Sequence, residues 1–563
     1  MADLKPIRIP NFEGGLFLGD KSLAKDNQLT TLTNFFYNND KKLQTRRGQA
    51  NFGNQIADAV KVVHDCDTIA GNGNWAATDD GVNLTLDATT QKRGVGALKF
   101  DITVATSGNN FATLTNSTMA AVDISTVKGY MGFWVYLPAG AKTNLTDCIL
   151  RVGSAAGAYY EFTVALAQLT ELEYRFIKLD FSSATTTGAP NDAAINYLLF
   201  RVNYSAGYTD KVGWELDDVV AYSSTATKAM MSIKYFEESK TPFTRHLMAN
   251  IGTSFFEYDE GTSEWTIFKT GLTTGTRFSM SVYKNIMNLS NGVDNYFDYD
   301  GKAATDRTGA NTYKAKYLLM ANDIGYALGD PTVPSSLAYS NATPANLQTY
   351  PNVLVLDEDS SDGKGTGLIN LGAIVIATKE KKIYKVNVAT PSREQIDYSD
   401  GAEAHRALTR VENEVFFNNK SGIFTLGQRQ ATIGSLRAKA LTNDLQVLMD
   451  TITNHSICAA VYISKLNNFY FFADTNNDSV PDTCIVYSTL TGKWSTYDNV
   501  SANEAVLYKD SSGDDHLLIA NANNGQCKEI ETGFNDNNVE ITSTLETKDF
   551  DFDIPETLKT FEV

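Results

Sequence analysis

Asn467-Asn468-Phe469-Tyr470-Phe471-Phe472-Ala473-Asp474 is a run of rings and small apolar residues, entered through two asparagines and left through an aspartate. An alternating aromatic run that follows a polar turn and closes on an aspartate reads as a strand. Related strings precede it: Gly252-Thr253-Ser254-Phe255-Phe256-Glu257-Tyr258-Asp259, Val293-Asp294-Asn295-Tyr296-Phe297-Asp298-Tyr299-Asp300, Lys381-Lys382-Ile383-Tyr384-Lys385-Val386-Asn387 and Lys420-Ser421-Gly422-Ile423-Phe424-Thr425-Leu426-Gly427. Aligning Phe256, Phe297, Tyr384, Phe424 and Tyr470 gives steps of 41, 87, 40 and 46, so 87 holds two periods with one degraded copy. A repeat of this length built from short strands predicts a β-propeller, because one small sheet cannot cover both its faces and stacked neighbours can. The expected fold class is all-β, a propeller of about six to eight blades.

The repeat stops short of residues 60–226, which are dense in Gly, Ala, Ser, Thr and Asn and carry Trp75, Trp134 and Trp214. Strands are predicted at 96–102, 129–136, 159–164, 176–180, 197–202 and 215–222. They resemble the jelly-roll sandwiches of carbohydrate-binding modules. Thr45-Arg46-Arg47-Gly48-Gln49 before the segment and Ser232-Ile233-Lys234-Tyr235-Phe236 after it read as parts of one blade system. The sandwich is therefore expected as a nested domain: 1–59 opens the propeller, 60–226 is inserted and 227–563 completes it. Loop-tip insertions cost little, since closure entropy grows logarithmically with length. One short amphipathic helix is expected over Leu441–Ile452, where Leu441, Leu445, Leu448, Met449 and Ile452 recur at helical spacing and Thr442 or Asn443 offers an N-cap. A weaker helical pattern covers Asp26–Tyr37.

The chain has 563 residues, 42% hydrophobic and 20% charged, with net charge −18. That composition folds, and it argues against a surface that grips nucleic acid through phosphates. Cys66, Cys148, Cys458, Cys484 and Cys527 show no metal or disulfide spacing and read as buried thiols. The opening residues lack the apolar run of a signal peptide, and no stretch is long enough for a membrane span.

Asn11-Phe12-Glu13-Gly14-Gly15-Leu16, the segment from Asp26 to Phe35, Thr45-Arg46-Arg47-Gly48 and the C-terminal Ile541 to Phe552 together resemble the β-propeller tail proteins of short-tailed bacteriophages, the hub or nozzle proteins below the portal. The resemblance covers 1–59 and 227–563. It implies a structural virion protein of the tail, assembled in the host bacterial cytoplasm into a homo-oligomeric ring, commonly a hexamer. Such a ring would form part of the DNA ejection conduit and a platform for portal, adaptor and other tail proteins. DNA would pass without specific binding, and an acidic lumen would favour passage. The alternative is a receptor- or glycan-binding virion protein acting through the inserted sandwich on a host-surface glycan.

Asp474, Asn476, Asp478 and Asp482 place oxygen side chains at positions 1, 3, 5 and 9 of a loop, resembling a structural Ca²⁺ loop, although Ser479 replaces the usual glycine and no acidic residue follows at position 12. The competing reading is an Asp/Asn-rich hairpin turn. Asp357 to Gly365 is a lesser loop of the same kind. Trp75 is the candidate ring for stacking on a sugar, whereas Trp134 and Trp214 are expected in the sandwich core. Asp217 and Asp218 either hold a cation or end a strand. The string Glu257 to Trp265 loosely echoes the turn of sialidases, but no hydrolase, Walker or dinucleotide motif accompanies it, so no enzyme is expected.

Overall fold

The computed structural model describes residues 14–19, 23–25, 27–104, 108–239, 243–309, 313–344, 347, 349–358, 360–387, 392–396, 401–428 and 436–547. Asn11, Phe12, Glu13, Asp26 and the segment from Lys548 to Phe552, which carry part of the family resemblance, lie outside them.

The protein is nearly all β. Among the described residues, seven consecutive antiparallel sheets with a four-stranded core span 230–269, 279–306, 317–355, 365–395, 409–440, 459–497 and, for the last, 502–530 together with Gln49–Asn51. Two-residue turns with both residues at positive φ, Lys284-Asn285 and Asn322-Asp323, close hairpins in the second and third sheets, the turn geometry whose twist matches that of paired strands. The quoted run at 467–474 supplies Asn468–Ala473, a strand buried at every position. It is the second strand of its sheet, whereas the four earlier strings lead into third strands. The step of 87 spans the third sheet, whose third strand Ser336–Tyr339 carries only one aromatic ring.

The first strands of successive sheets touch one another from the second sheet to the seventh, and Met230–Glu237 of the first sheet packs against Ala502–Lys509 of the seventh. The first and second sheets share the cluster of Phe236, Met248, Phe255, Phe278, Met287 and Phe297. The contacts therefore form a closed cycle. Its seam is the seventh sheet, where Cys527–Ile530 pairs antiparallel with Gln49–Asn51. Gly48 leads into that strand, and a Cβ there would lie 2.0 Å from the carbonyl oxygen of Asn535, so only glycine fits. Gln28–Thr33 and Thr544–Thr547 are added beside the sixth sheet, bringing both ends of the described chain to one place.

Residues 60–222 form two six-stranded sheets that pair with none of the others. One carries Trp75–Asp79, Phe111–Asn116, Leu145–Ala155 and Tyr197–Tyr204; the other carries Ala97–Ile102, Tyr130–Tyr136, Tyr174–Asp180 and Lys211–Tyr222. Phe100, Phe133, Phe162, Phe200 and Trp214 meet between them in one buried core. Side chains alternate faces along a strand. Met131, Phe133 and Val135 accordingly enter this core, whereas Trp134 points the other way.

Two expectations are corrected. Residues 28–33 and 35–37 are strands, not helix: their threonines and aromatic rings suit pleated sheet. The helix expected over Leu441–Ile452 shrinks to a 3₁₀ turn and the α-turn Gln446–Met449, with Leu445, Met449 and Ile452 buried. Thr442 does not cap it, because its hydroxyl accepts from the Ile423 amide at 3.1 Å.

Candidate functional site

The loop at 474–482 is assembled but does not gather its oxygens around one point. Both oxygens of Asp474 are taken by its own turn: Oδ1 accepts from the amides of Asn477 (2.7 Å) and Asp478 (3.3 Å), and Oδ2 from that of Ser479 (2.8 Å). Asn476 turns its amide nitrogen toward Asp482 (2.8 Å) and Asp478 (3.3 Å), donating where a Ca²⁺ ligand would offer oxygen. Asp478 accepts from the Val480 amide at 2.8 Å. Ser479 takes φ 69° and Asn477 φ 65°. The residues thus form a carboxylate-bonded turn, the arrangement Asp and Asn make with their own backbone, which is the hairpin-turn alternative to the Ca²⁺ reading of Asp474, Asn476, Asp478 and Asp482. In the lesser loop, Asp357 pairs with the buried Lys379 at 3.1 Å, Tyr384 donates to Asp362, and Asp359 lies outside the described residues.

Trp75 is 5% exposed and belongs to the sandwich core, its indole N–H donating to His64 Nε2 at 3.2 Å. A ring enclosed in this way has no face for a sugar, which corrects the glycan assignment. Asp217 is buried, and its Oδ2 accepts the amides of Lys92 and Arg93, each at 2.9 Å. Burial, outweighing those two bonds, raises its carboxyl well above the ordinary range.

The sandwich is fastened to the cycle over a continuous face. Trp134, Phe176, Val220 and Tyr222 pack against Leu247, Phe256, Trp265 and Ile267 of the first sheet. Trp134, expected in the sandwich core, is instead 1% exposed within this joint. Beside it, Arg93 reaches across to Glu257 and Tyr299 (2.5 Å each) and Thr266 (2.7 Å), while Glu257 also holds His246 at 2.5 Å and Tyr299 at 2.7 Å. Burial alone would raise Glu257; the Arg93 charge and the His246 bond overcome it and hold the carboxyl far below its usual range. The acid that opens the sialidase-like string is therefore an ion-pair partner, not a solvent-facing group.

Where the first strands converge lies a cavity of about 570 Å³, lined by segments that enter or form those strands and by Asn291, Val293, Ser479, Val480 and Ala522 in the connections. Its wall carries Arg277, Lys316, His405 and Arg406 and no Asp or Glu, in a chain with 66 acidic and 48 basic residues. Arg277 donates to the Ile457 carbonyl (2.6 Å) and to Asn503 Oδ1 (2.7 Å), both neutral. Arg406 donates to Ser232 Oγ at 3.1 Å and the Phe278 carbonyl at 3.2 Å, and its Nε lies 3.3 Å from Glu504, whose carboxylate also binds Lys234. Gly292 and Gly329, both at positive φ, close around Lys316, where added Cβ atoms would meet its Cβ at 3.2 and 3.1 Å. His405 accepts the Leu368 amide at Nδ1 (3.3 Å). Burial, followed by the charges of Lys234, Arg406 and Lys316, presses its imidazole down to about 3, so it is neutral. None of these residues stands in a recognisable motif. Their shared signal is positional, a cation just before or within the first strand of a repeat, and reading it requires blades already in register.

No protein-family model matches the chain, and no curated protein matches it. Solved structures with partial likeness include the computationally designed Ika8 protein (11% identity, covering 73% of this chain and 99% of that one, TM-score 0.33). YCF48 bound to D1 peptide aligns at 10% identity over 55% of this chain and 93% of its own, with TM-score 0.35. The extracellular domain of the one-component system BT4673 from B. thetaiotaomicron aligns at 11% identity over 53% of this chain and 50% of its own, with TM-score 0.30. Likenesses this distant carry no argument about function.

Proposed function

We propose that the seven sheets are the blades of one β-propeller, that residues 60–226 are a sandwich domain nested in it, and that the chain is a structural subunit of a bacteriophage tail, a ring protein below the portal. The observation that carries this reading is the closed cycle of sheets sealed by Gln49–Asn51, the strand that directly follows the Arg-Arg-Gly of the family resemblance. Closure suits a load-bearing part, since radial packing leaves only short outer edges. The buried joint adds to it by fixing the sandwich as a rigid extension. With Trp75 enclosed, the glycan-binding alternative has lost its named residue.

The experiment is electron microscopy of purified particles carrying an epitope-tagged copy of the chain. Label at the tail, in rotational multiples, is the expected result. Particles that incorporate no label, or label confined to the capsid shell, would refute the assignment.

A further inference from the structure

The cavity where the first strands converge is built as a site for a small anion. Three side chains, Arg277, Lys316 and Arg406, bring positive charge to one wall that has no carboxylate in it, the two arginines half-buried and Lys316 exposed at its edge. Arg277 and Arg406 are drawn partly out of bulk water, where like charges repel one another and cost free energy unless a counter-charge joins them. Glu504 neutralises only part of this group, being shared between Lys234 and Arg406. Arg277 is held down to about 9, by burial first and by Arg406 next. Lys316 is lowered by burial and then by Arg406 and Arg277, with no acid opposing them. Among the described residues the Lys316 side chain makes no ion pair or hydrogen bond; its Nζ lies 5.6 Å from the centroid of the Tyr317 ring, and Gly292 and Gly329 close around its stem.

Donors of the right kind surround the space. Arg277 and Arg406 supply planar guanidinium groups matched to oxyanions. Lys316 supplies a point charge, and Ser479 adds a hydroxyl at the wall. The volume admits a tetrahedral oxyanion with its first waters. We propose that this cavity binds one phosphate-class dianion per chain, clasped by Arg277, Lys316 and Arg406 at the convergence of the inner strands. The proposal is independent of the tail assignment: it would hold for this chain in any assembly, and it fails or stands without reference to virions.

The test is isothermal titration of the full chain with sodium phosphate at pH 7.5 and low salt, with sodium chloride at matched ionic strength as reference. Arg277→Gln, Lys316→Met and the distant Lys61→Gln are titrated in parallel. A single saturable phosphate site is expected, weakened roughly tenfold to a hundredfold by either cavity variant, the loss set by one charge-assisted bond, and unchanged in Lys61→Gln. Lys316→Met removes no ion pair or side-chain hydrogen bond, only the long contact with the Tyr317 ring, and so reports even where Arg277→Gln folds poorly. Absence of saturable phosphate binding, equal saturation by chloride, or a site that neither cavity variant weakens would overturn the proposal.

Discussion

Replacing Arg93 by Met tests the joint between sandwich and cycle at its most sensitive point. The Arg93 and Glu257 side chains are 3% and 10% exposed, so the pair is desolvated. Removing the guanidinium strands the carboxylate with His246 and Tyr299, and breaking a buried pair in this way costs about 3–5 kcal/mol. Glu257→Gln leaves Arg93 with Thr266 and Tyr299 and is expected to cost less. The double variant should recover about 1–3 kcal/mol relative to the two single losses added together. Urea titration followed by tryptophan fluorescence reads this, because Arg93 Cζ lies 5.9 Å from the centroid of the Trp134 ring at the joint. In a chain of several cores the comparison rests on midpoint shifts at constant slope. Acidity adds a second readout. The Glu257 carboxyl titrates far below its unfolded value of about 4.3, so its stabilisation is full above that pH and is lost as pH falls further. Without Arg93, burial is less opposed and protonation relieves the stranded charge. The gap between wild type and Arg93→Met should therefore narrow from pH 7 to pH 4. A loss under about 1 kcal/mol or strict additivity in the double variant would refute the coupling described here.

Trp75→Ala should lower sandwich stability by about 3–5 kcal/mol, as large-to-small changes in a core do, with thermal melting as the check. Asp474→Ala leaves three backbone amides of the turn unbonded and should cost about 1–3 kcal/mol; the wild-type melting temperature should be the same in Ca²⁺ and in EGTA, and a Ca²⁺-dependent rise would restore the metal reading. At His516, burial lowers the pKa, but the bonds to Glu529 and Asp510 outweigh it and the net shift is upward. Its stabilisation is present below the unfolded value of about 6.5 and lost as pH rises through the higher folded value, so His516→Gln should destabilise more at pH 5.5 than at pH 8.5 by thermal melting. Gly48→Ala collides with Asn535 at the seam and should expose the 49–51 strand to amide exchange, while the amides of Phe133 and Phe200 stay protected.

Strand positions were readable because their signals are local: rings at period two, Gly or Asn at positive φ, and insertion limits marked by a change of texture. The strands predicted at 96–102, 129–136 and 197–202 fall on Ala97–Ile102, Tyr130–Tyr136 and Tyr197–Tyr204. What misled was burial on a second face. Trp134 and Trp75 are both apolar rings in β context, and no local feature says that one is covered by Trp265 and Ile267 while the other enters a core. The loop at 474–482 had the right oxygens at the right intervals, yet intervals do not show that backbone amides already occupy Asp474. Arg277, Lys316 and Arg406 were invisible for the opposite reason: 129 residues separate the first from the last, and only ring closure brings them onto one wall.

Because Gln49–Asn51 is made early and Cys527–Ile530 late, this molecule cannot seal until nearly all of it has left the ribosome. The sandwich has all its own strands by Tyr222, so it can fold in the nascent chain while the partners of Trp134, Phe176 and Tyr222 are still being translated. During that interval a greasy, half-finished face is held by the growing polypeptide, and protection of that face by a chaperone, or slow synthesis across it, would govern yield more than the stability of the finished product does.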